Sequence, residues 1–155
     1  MEPRRCLNQG VLERISKIIG DTSDGLKGSE IAYFLEQCNI KDVAPNITKW
    51  KRLYSALASV QSHEGQSNKI LRFVQTVLNP ARYTDQDAFE TKRKAVNESL
   101  SYVGYELQPN GRFREVPTTT TISEAQLRAN DLLANLQIRN AHHEIFKYCQ
   151  AELVD

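Results

Sequence analysis

Apolar residues recur at helical spacing along most of the chain, and the polar stretches between them mark the joints. Val11, Leu12, Ile15, Ile18 and Ile19 form the first stripe, which stops at Gly20. The polar run Asp21-Thr22-Ser23-Asp24-Gly25 reads as a loop. Ser29 is placed to cap a short helix through Cys38, with Ile31, Phe34 and Leu35 inward. Residues 39–47, which include Pro45, read as a connector. The spacing predicts a helix over 48–61, where Trp50, Leu53, Tyr54, Leu57 and Val60 share a face. Residues 63–67 read as a loop. Over 68–78 the stripe of Ile70, Leu71, Phe73, Val74, Val77 and Leu78 is so broad that the central helix of the core is expected there. Asn79-Pro80 closes it, because proline cannot continue the hydrogen-bond ladder. A longer helix is expected from about 87 to 103, burying Phe89, Val96, Leu100 and Val103, with Gly104 at its C′ position.

One β signal interrupts the helical pattern. Residues 105–108 and 112–116 alternate on either side of Asn110-Gly111 and read as a hairpin. After the polar linker 118–121, Ser123-Glu124-Ala125-Gln126 fits a capping box for a helix to about Ile138, with Leu132, Leu133 and Leu136 inward. A last helix is expected over 142–154, offering Ile145, Phe146, Cys149 and Leu153. It runs almost to the end of the sequence without a stop signal, as a chain cut from a longer protein would. The expected fold is mainly α: a compact bundle of six or seven helices with one small β-hairpin at about 105–116. Residues 1–155 read as a single domain, with 1–9 as a flexible tail.

Composition fits a globule of this kind. The chain has 155 residues, 40% hydrophobic and 25% charged, enough to build a core without staples. No apolar run approaches the ~18 residues of a membrane helix, and the N-terminus lacks the apolar stretch of a secretory signal, so a membrane partner is not expected. Cys6, Cys38 and Cys149 are an odd number without metal-ligand spacing, and they read as free thiols of a cytoplasmic protein. Cys38 and Cys149 lie in amphipathic patterns where small buried hydrophobes belong. No cofactor or metal is expected.

Charge is uneven although the formal total is +1. Residues 46–82 hold six cations (Lys49, Lys51, Arg52, Lys69, Arg72, Arg82) against Glu64, so this segment carries +5 and the remainder −4. Lys49, Lys51 and Arg52 crowd the first turn of the helix at 48–61, where the helix dipole favours acids. That placement has no evident local benefit, and it points to a partner that wants positive charge. Interleaved with Trp50, Tyr54 and Tyr83, the segment suits phosphates and stacked bases of RNA or DNA. The bland alternative, a solvated helix face with the aromatics in the core, carries more weight. Arg112 and Arg114 alternate with Phe113 on the hairpin and can face a phosphate together, or serve as ordinary exposed strand residues.

Catalytic motifs are sparse. The sequence has no nucleophile elbow, phosphate-binding glycine loop or His-Glu-x-x-His zinc motif. Arg139, His142 and His143 lie close together, and an arginine–histidine pair can cleave RNA, but helix-end histidines commonly cap carbonyls. His63 has no evident partner.

Several strings taken together resemble a family of prokaryotic abortive-infection proteins. They are Leu26-Lys27-Gly28-Ser29-Glu30-Ile31, Thr48-Lys49-Trp50-Lys51-Arg52-Leu53-Tyr54, Asn79-Pro80-Ala81-Arg82-Tyr83 and Gly104-Tyr105-Glu106-Leu107. Thr121-Ile122-Ser123-Glu124-Ala125, then Arg128-Ala129, and finally Cys149-Gln150-Ala151-Glu152-Leu153 continue the series. In order and spacing they resemble the N-terminal part of Ymh-type proteins, whose first region is similar to an AbiJ N-terminal domain, over about residues 10–153. The resemblance implies a helical domain that precedes a HEPN-type RNase domain in antiphage defence. The RNase signature of that family separates arginine from histidine by four to six residues. Arg139 and His143 have three between them and precede the expected RNase domain, so the resemblance places no catalytic site here. It implies a non-catalytic sensing, regulatory or targeting domain that works with a HEPN-type effector in cis or in trans. The residues themselves leave a second expectation open, a stand-alone nucleic-acid-binding module using 46–82. A third and weaker one is a small RNase.

Overall fold

The computed structural model describes residues 2–130, and these are mainly helical with one two-stranded antiparallel hairpin. Helix α1 spans Gln9–Ile19, and the Asn8 side chain caps it by accepting from the Val11 N–H at 2.9 Å. Its buried face is Val11, Leu12, Ile15, Ser16 and Ile19; Ser16 joins the expected stripe by donating to the Leu12 carbonyl at 2.8 Å, while Ile18 is only half-buried. Helix α2 spans Gly28–Gln37. Its N-cap is Lys27 rather than Ser29, because the Glu30 carboxylate reaches back to accept from the Lys27 N–H at 2.9 Å. At the other end Asn39 takes a left-handed conformation (φ 58°), and its N–H bonds the Glu36 carbonyl while that of Ile40 bonds Leu35. This is the Schellman arrangement, with Leu35 and Ile40 both buried beside it.

Helix α3, Lys49–Glu64, runs almost a turn beyond the expected end and takes His63 and Glu64 out of the expected loop. Helix α4, Asn68–Val77, buries Ile70, Leu71, Phe73, Val74 and Val77. A short 3-10 turn at Pro80–Arg82 leads to helix α5, Gln86–Leu100. The expected end at 103 is met differently: the last turn, Ser101–Val103, tightens to 3-10 before Gly104. Strands β1 (Tyr105–Leu107) and β2 (Phe113–Glu115) pair with Tyr105 opposite Glu115 and Leu107 opposite Phe113.

The hairpin turn is shifted by one residue from the Asn-Gly reading. Gly111 donates to the Gln108 carbonyl at 2.9 Å, so Pro109 and Asn110 are the central residues and Gly111 follows at φ 84°. Proline presets the first central dihedral, and the Asn110 side chain accepts from the Arg112 N–H at 2.9 Å. The next helix begins at 122, one residue after its cap. That cap is Thr121, whose hydroxyl accepts from the Glu124 N–H at 3.2 Å, in place of the expected Ser123. The helix expected over 142–154, and the part of its predecessor beyond 130, lie outside the described residues.

One core joins these elements. Helix α1 packs between α3 and α5, α4 packs on α2 and α3, and β1 packs on α5. Residues 2–8, expected as a flexible tail, are instead tied across α3 and α4. Gln61 clamps the Leu7 backbone on both sides (2.8 and 2.9 Å), Ser67 donates to Arg4 and Arg5 carbonyls, and Asn68 accepts from the Arg4 N–H. Leu7 is 2% exposed, so the segment adds an apolar anchor to the core. The tail expectation failed because a single leucine in a polar stretch carries no periodic signal.

The turn after α1 closes on itself at Gly25. A Cβ there would lie 2.3 Å from the Asp21 nitrogen and 2.6 Å from the Ile19 carbonyl oxygen, so only glycine fits. Gly25→Ala is expected to lower stability by about 1–3 kcal/mol in urea unfolding. Gly10→Ala, in α1 where the nearest atom is 3.7 Å away, should instead raise it by about 0.5–1 kcal/mol. Equal effects from the two would contradict the packing described.

Candidate nucleic-acid interface

The eight cations expected to bind a partner fall into two groups. Lys49, at the start of α3, donates through Nζ to the Asp21 and Leu26 carbonyls, both at 2.9 Å. Arg52 lies one turn on, is 9% exposed, and grips Asp42 through Nε and Nη2, the latter at 2.6 Å. Its Nη1 donates to the Gly28 carbonyl at 3.2 Å. The hydrogen-bonded Asp42 carboxylate pushes the Arg52 pKa up, keeping the charge fixed. Arg82 donates to the Val77 carbonyl, lies 3.5 Å from the Glu30 carboxylate and stacks 4.7 Å over the Phe34 ring. Lys69 pairs with Glu64 at 2.7 Å and caps α2 through the Asn39 carbonyl at 3.1 Å. Arg114 holds the buried Glu106 carboxylate at 3.0 Å.

These contacts supply the local benefit that the cations at the start of α3 lacked on paper. Two of them neutralise carbonyls at the α1–α2 junction, which outweighs an unfavourable helix dipole of a few tenths of a kcal/mol per charge. Lys92 from α5 joins them, donating to the Ile18 carbonyl (2.9 Å) and to Asp24 (2.7 Å). Within the loop, the backbone N–H groups of Ser23 and Asp24 hold the Asp21 carboxyl below its usual range. The expected stacking residues are similarly engaged. Trp50 is half-buried, with the Lys17 ammonium 4.7 Å and that of Lys51 5.8 Å from its ring centre. Tyr54 and Tyr83 pack against the core, and burial pushes the Tyr83 hydroxyl pKa up.

Lys51, Arg72 and Arg112 form the second group. All three are exposed, and their side chains make no ion pair or hydrogen bond with any described residue. Arg72 is set in a concavity. A groove of about 420 Å³ runs between α4, the N-terminal segment and β2, lined by Arg4, Lys69, Leu71, Arg72, Gln75 and Phe113. Arg4 is held at its edge by Glu115 at 3.0 Å. Thus the structure brings Lys69 and Arg72 together and adds Arg4 and Phe113, while Lys49, Arg52 and Arg82 sit at the α1–α2 junction. Arg4 escaped the sequence reading because its segment was taken for a tail.

Other polar groups legible only in three dimensions lie under the hairpin. Arg93 is 2% exposed, pairs with Glu90 at 2.6 Å, and donates to the Leu107 carbonyl at 3.0 Å. Asn97 clamps both backbone groups of Leu107, accepting at 2.7 Å and donating at 3.0 Å. Cys38 is buried and free, and burial pushes its thiol pKa up, as for a packing residue. Cys6 is exposed. Cys149, Arg139, His142 and His143 lie outside the described residues. Among the described residues no cluster of three or more His, Cys, Asp or Glu is arranged to hold a metal, and no helix is long and apolar enough to cross a membrane.

Comparison with protein-family models, with curated proteins and with solved structures gave no match to this chain. The geometry therefore carries the functional reading, with the cations of 46–82 sorted into internal ties and groove or surface residues. That sorting sets an expectation for neighbouring residues on α3. Arg52→Met is expected to cost about 2–4 kcal/mol in urea unfolding, since it leaves Asp42 and the Gly28 carbonyl unpaired. Lys51→Met should stay within about 0.5 kcal/mol. Equal losses would show that Arg52 does no more than an exposed lysine.

Proposed function

We propose that this chain is a non-catalytic recognition domain of the abortive-infection type, which senses or targets through single-stranded nucleic acid held in the α4–hairpin groove. The observation that carries the reading is Arg72, an exposed cation with no ion partner among the described residues, set in a groove with Arg4, Lys69 and Phe113. Phosphates favour the cations, and an aromatic wall favours the flat face of a base. A groove of ~420 Å³ suits a ligand the size of a nucleotide. The order and spacing of the family-like strings support the wider role, in which the domain restrains or directs a HEPN-type RNase effector in cis or in trans. On this reading the protein works in the cytoplasm, where that effector meets its RNA.

Titration of labelled single-stranded RNA and DNA at two salt concentrations tests the proposal. With up to three phosphates neutralised, log affinity should fall against log salt with a slope of about −2. Arg72→Ala should weaken binding about tenfold and flatten the slope by about 0.7, while Lys49→Met, away from the groove, should leave affinity unchanged. Absence of binding, or an Arg72→Ala protein that binds as tightly as the parent, would overturn the reading.

A further inference from the structure

Six side-chain amides of the described structure are committed to backbone groups. Asn8, Asn79 and Asn110 close turns or caps, Gln61 clamps Leu7, Asn68 holds Arg4 and Glu2, and Asn97 holds Leu107. Gln75 differs. It is half-buried in the wall of the α4–hairpin groove, and no described residue hydrogen-bonds its amide. It follows Arg72 by three residues on α4, so the two side chains are neighbours on one helix face. Phe113 lines the same groove from β2.

From this juxtaposition we infer that Gln75 reads the edge of a base in the groove and that the preferred base is adenine. The inference rests on the nucleic-acid reading given above. A partly desolvated amide without a partner loses hydrogen bonds that water offered, and a ligand with a matching donor–acceptor pair restores them. The glutamine amide presents one acceptor and one donor side by side, which suits the adjacent amino group and ring nitrogen of adenine. Adenine offers that pair on two of its edges, and a purine covers more of an aromatic ring than a pyrimidine does. Arg72 would then hold the phosphate, so that affinity and base choice are divided between two residues three positions apart. Gln75 is a specificity-determining residue in this scheme.

The test uses the full chain and ten-nucleotide RNA homopolymers of adenosine, cytidine and uridine. The adenosine strand should bind about tenfold more tightly than either pyrimidine strand. Gln75→Leu should bring it down to their level with the helical circular dichroism spectrum unchanged. Arg72→Ala should weaken all three strands by a similar factor and keep their order. Replacing adenine by purine, which lacks the amino group but stacks alike, should reproduce the effect of Gln75→Leu on the parent protein. Equal binding of the three strands, or a preference that survives Gln75→Leu, would overturn the role of Gln75 while the groove stood. If no strand binds at all, the nucleic-acid reading itself falls, and this inference with it.

Discussion

The carbonyl groups around the α1–α2 junction are held by cationic side chains from two later helices, and the rest of the fold is arranged around that junction. Lys49 and Arg52 reach it from α3 and Lys92 from α5, while Arg82 closes on Glu30 at the start of α2. The loop is too polar to pack by burial, and its carbonyls need donors where water is excluded. Lys49, Arg52 and Lys92 provide them, which fixes how α3 and α5 lie against α1. Gly25 completes the junction by letting the chain pass within a distance that no side chain allows.

Three of the family-like strings, 26–31, 48–54 and 79–83, meet one another at this junction. Lys49 touches Leu26, Arg52 touches Gly28, and Arg82 touches Glu30. In this structure they specify how the domain folds. The groove that carries the proposed recognition draws instead on Arg4, Arg72, Gln75 and Phe113, all outside those strings.

Much of the architecture was legible because amphipathic helices advertise themselves. The stripe of α4 named its buried face, those of α1 and α5 named the apolar part of theirs, and the hairpin followed from its alternation and turn residues. What escaped were interactions that join distant residues. A run of cations at a helix start reads as a ligand-seeking patch until the carbonyls it meets, more than twenty residues earlier, are placed beside it. Glu90, Arg93 and Asn97 carry no apolar signal, yet they are buried because each satisfies a partner under the hairpin. The groove was legible only in part: Lys69 and Arg72 came from charge, Gln75 shares their helix without a signal of its own, and Arg4 and Phe113 join them only through tertiary packing.

Amide hydrogen exchange at the α1–α2 junction tests the central claim most directly. The Leu26 N–H bonds the Ile19 carbonyl at 2.9 Å inside a loop of exposed polar residues. If the cationic ties make this loop part of the core, Leu26 exchanges as slowly as the amides in the middle of α1 and loses that protection in Lys49→Met. Exchange of Leu26 at the rate of the exposed Thr22, with no change in Lys49→Met, would contradict the account.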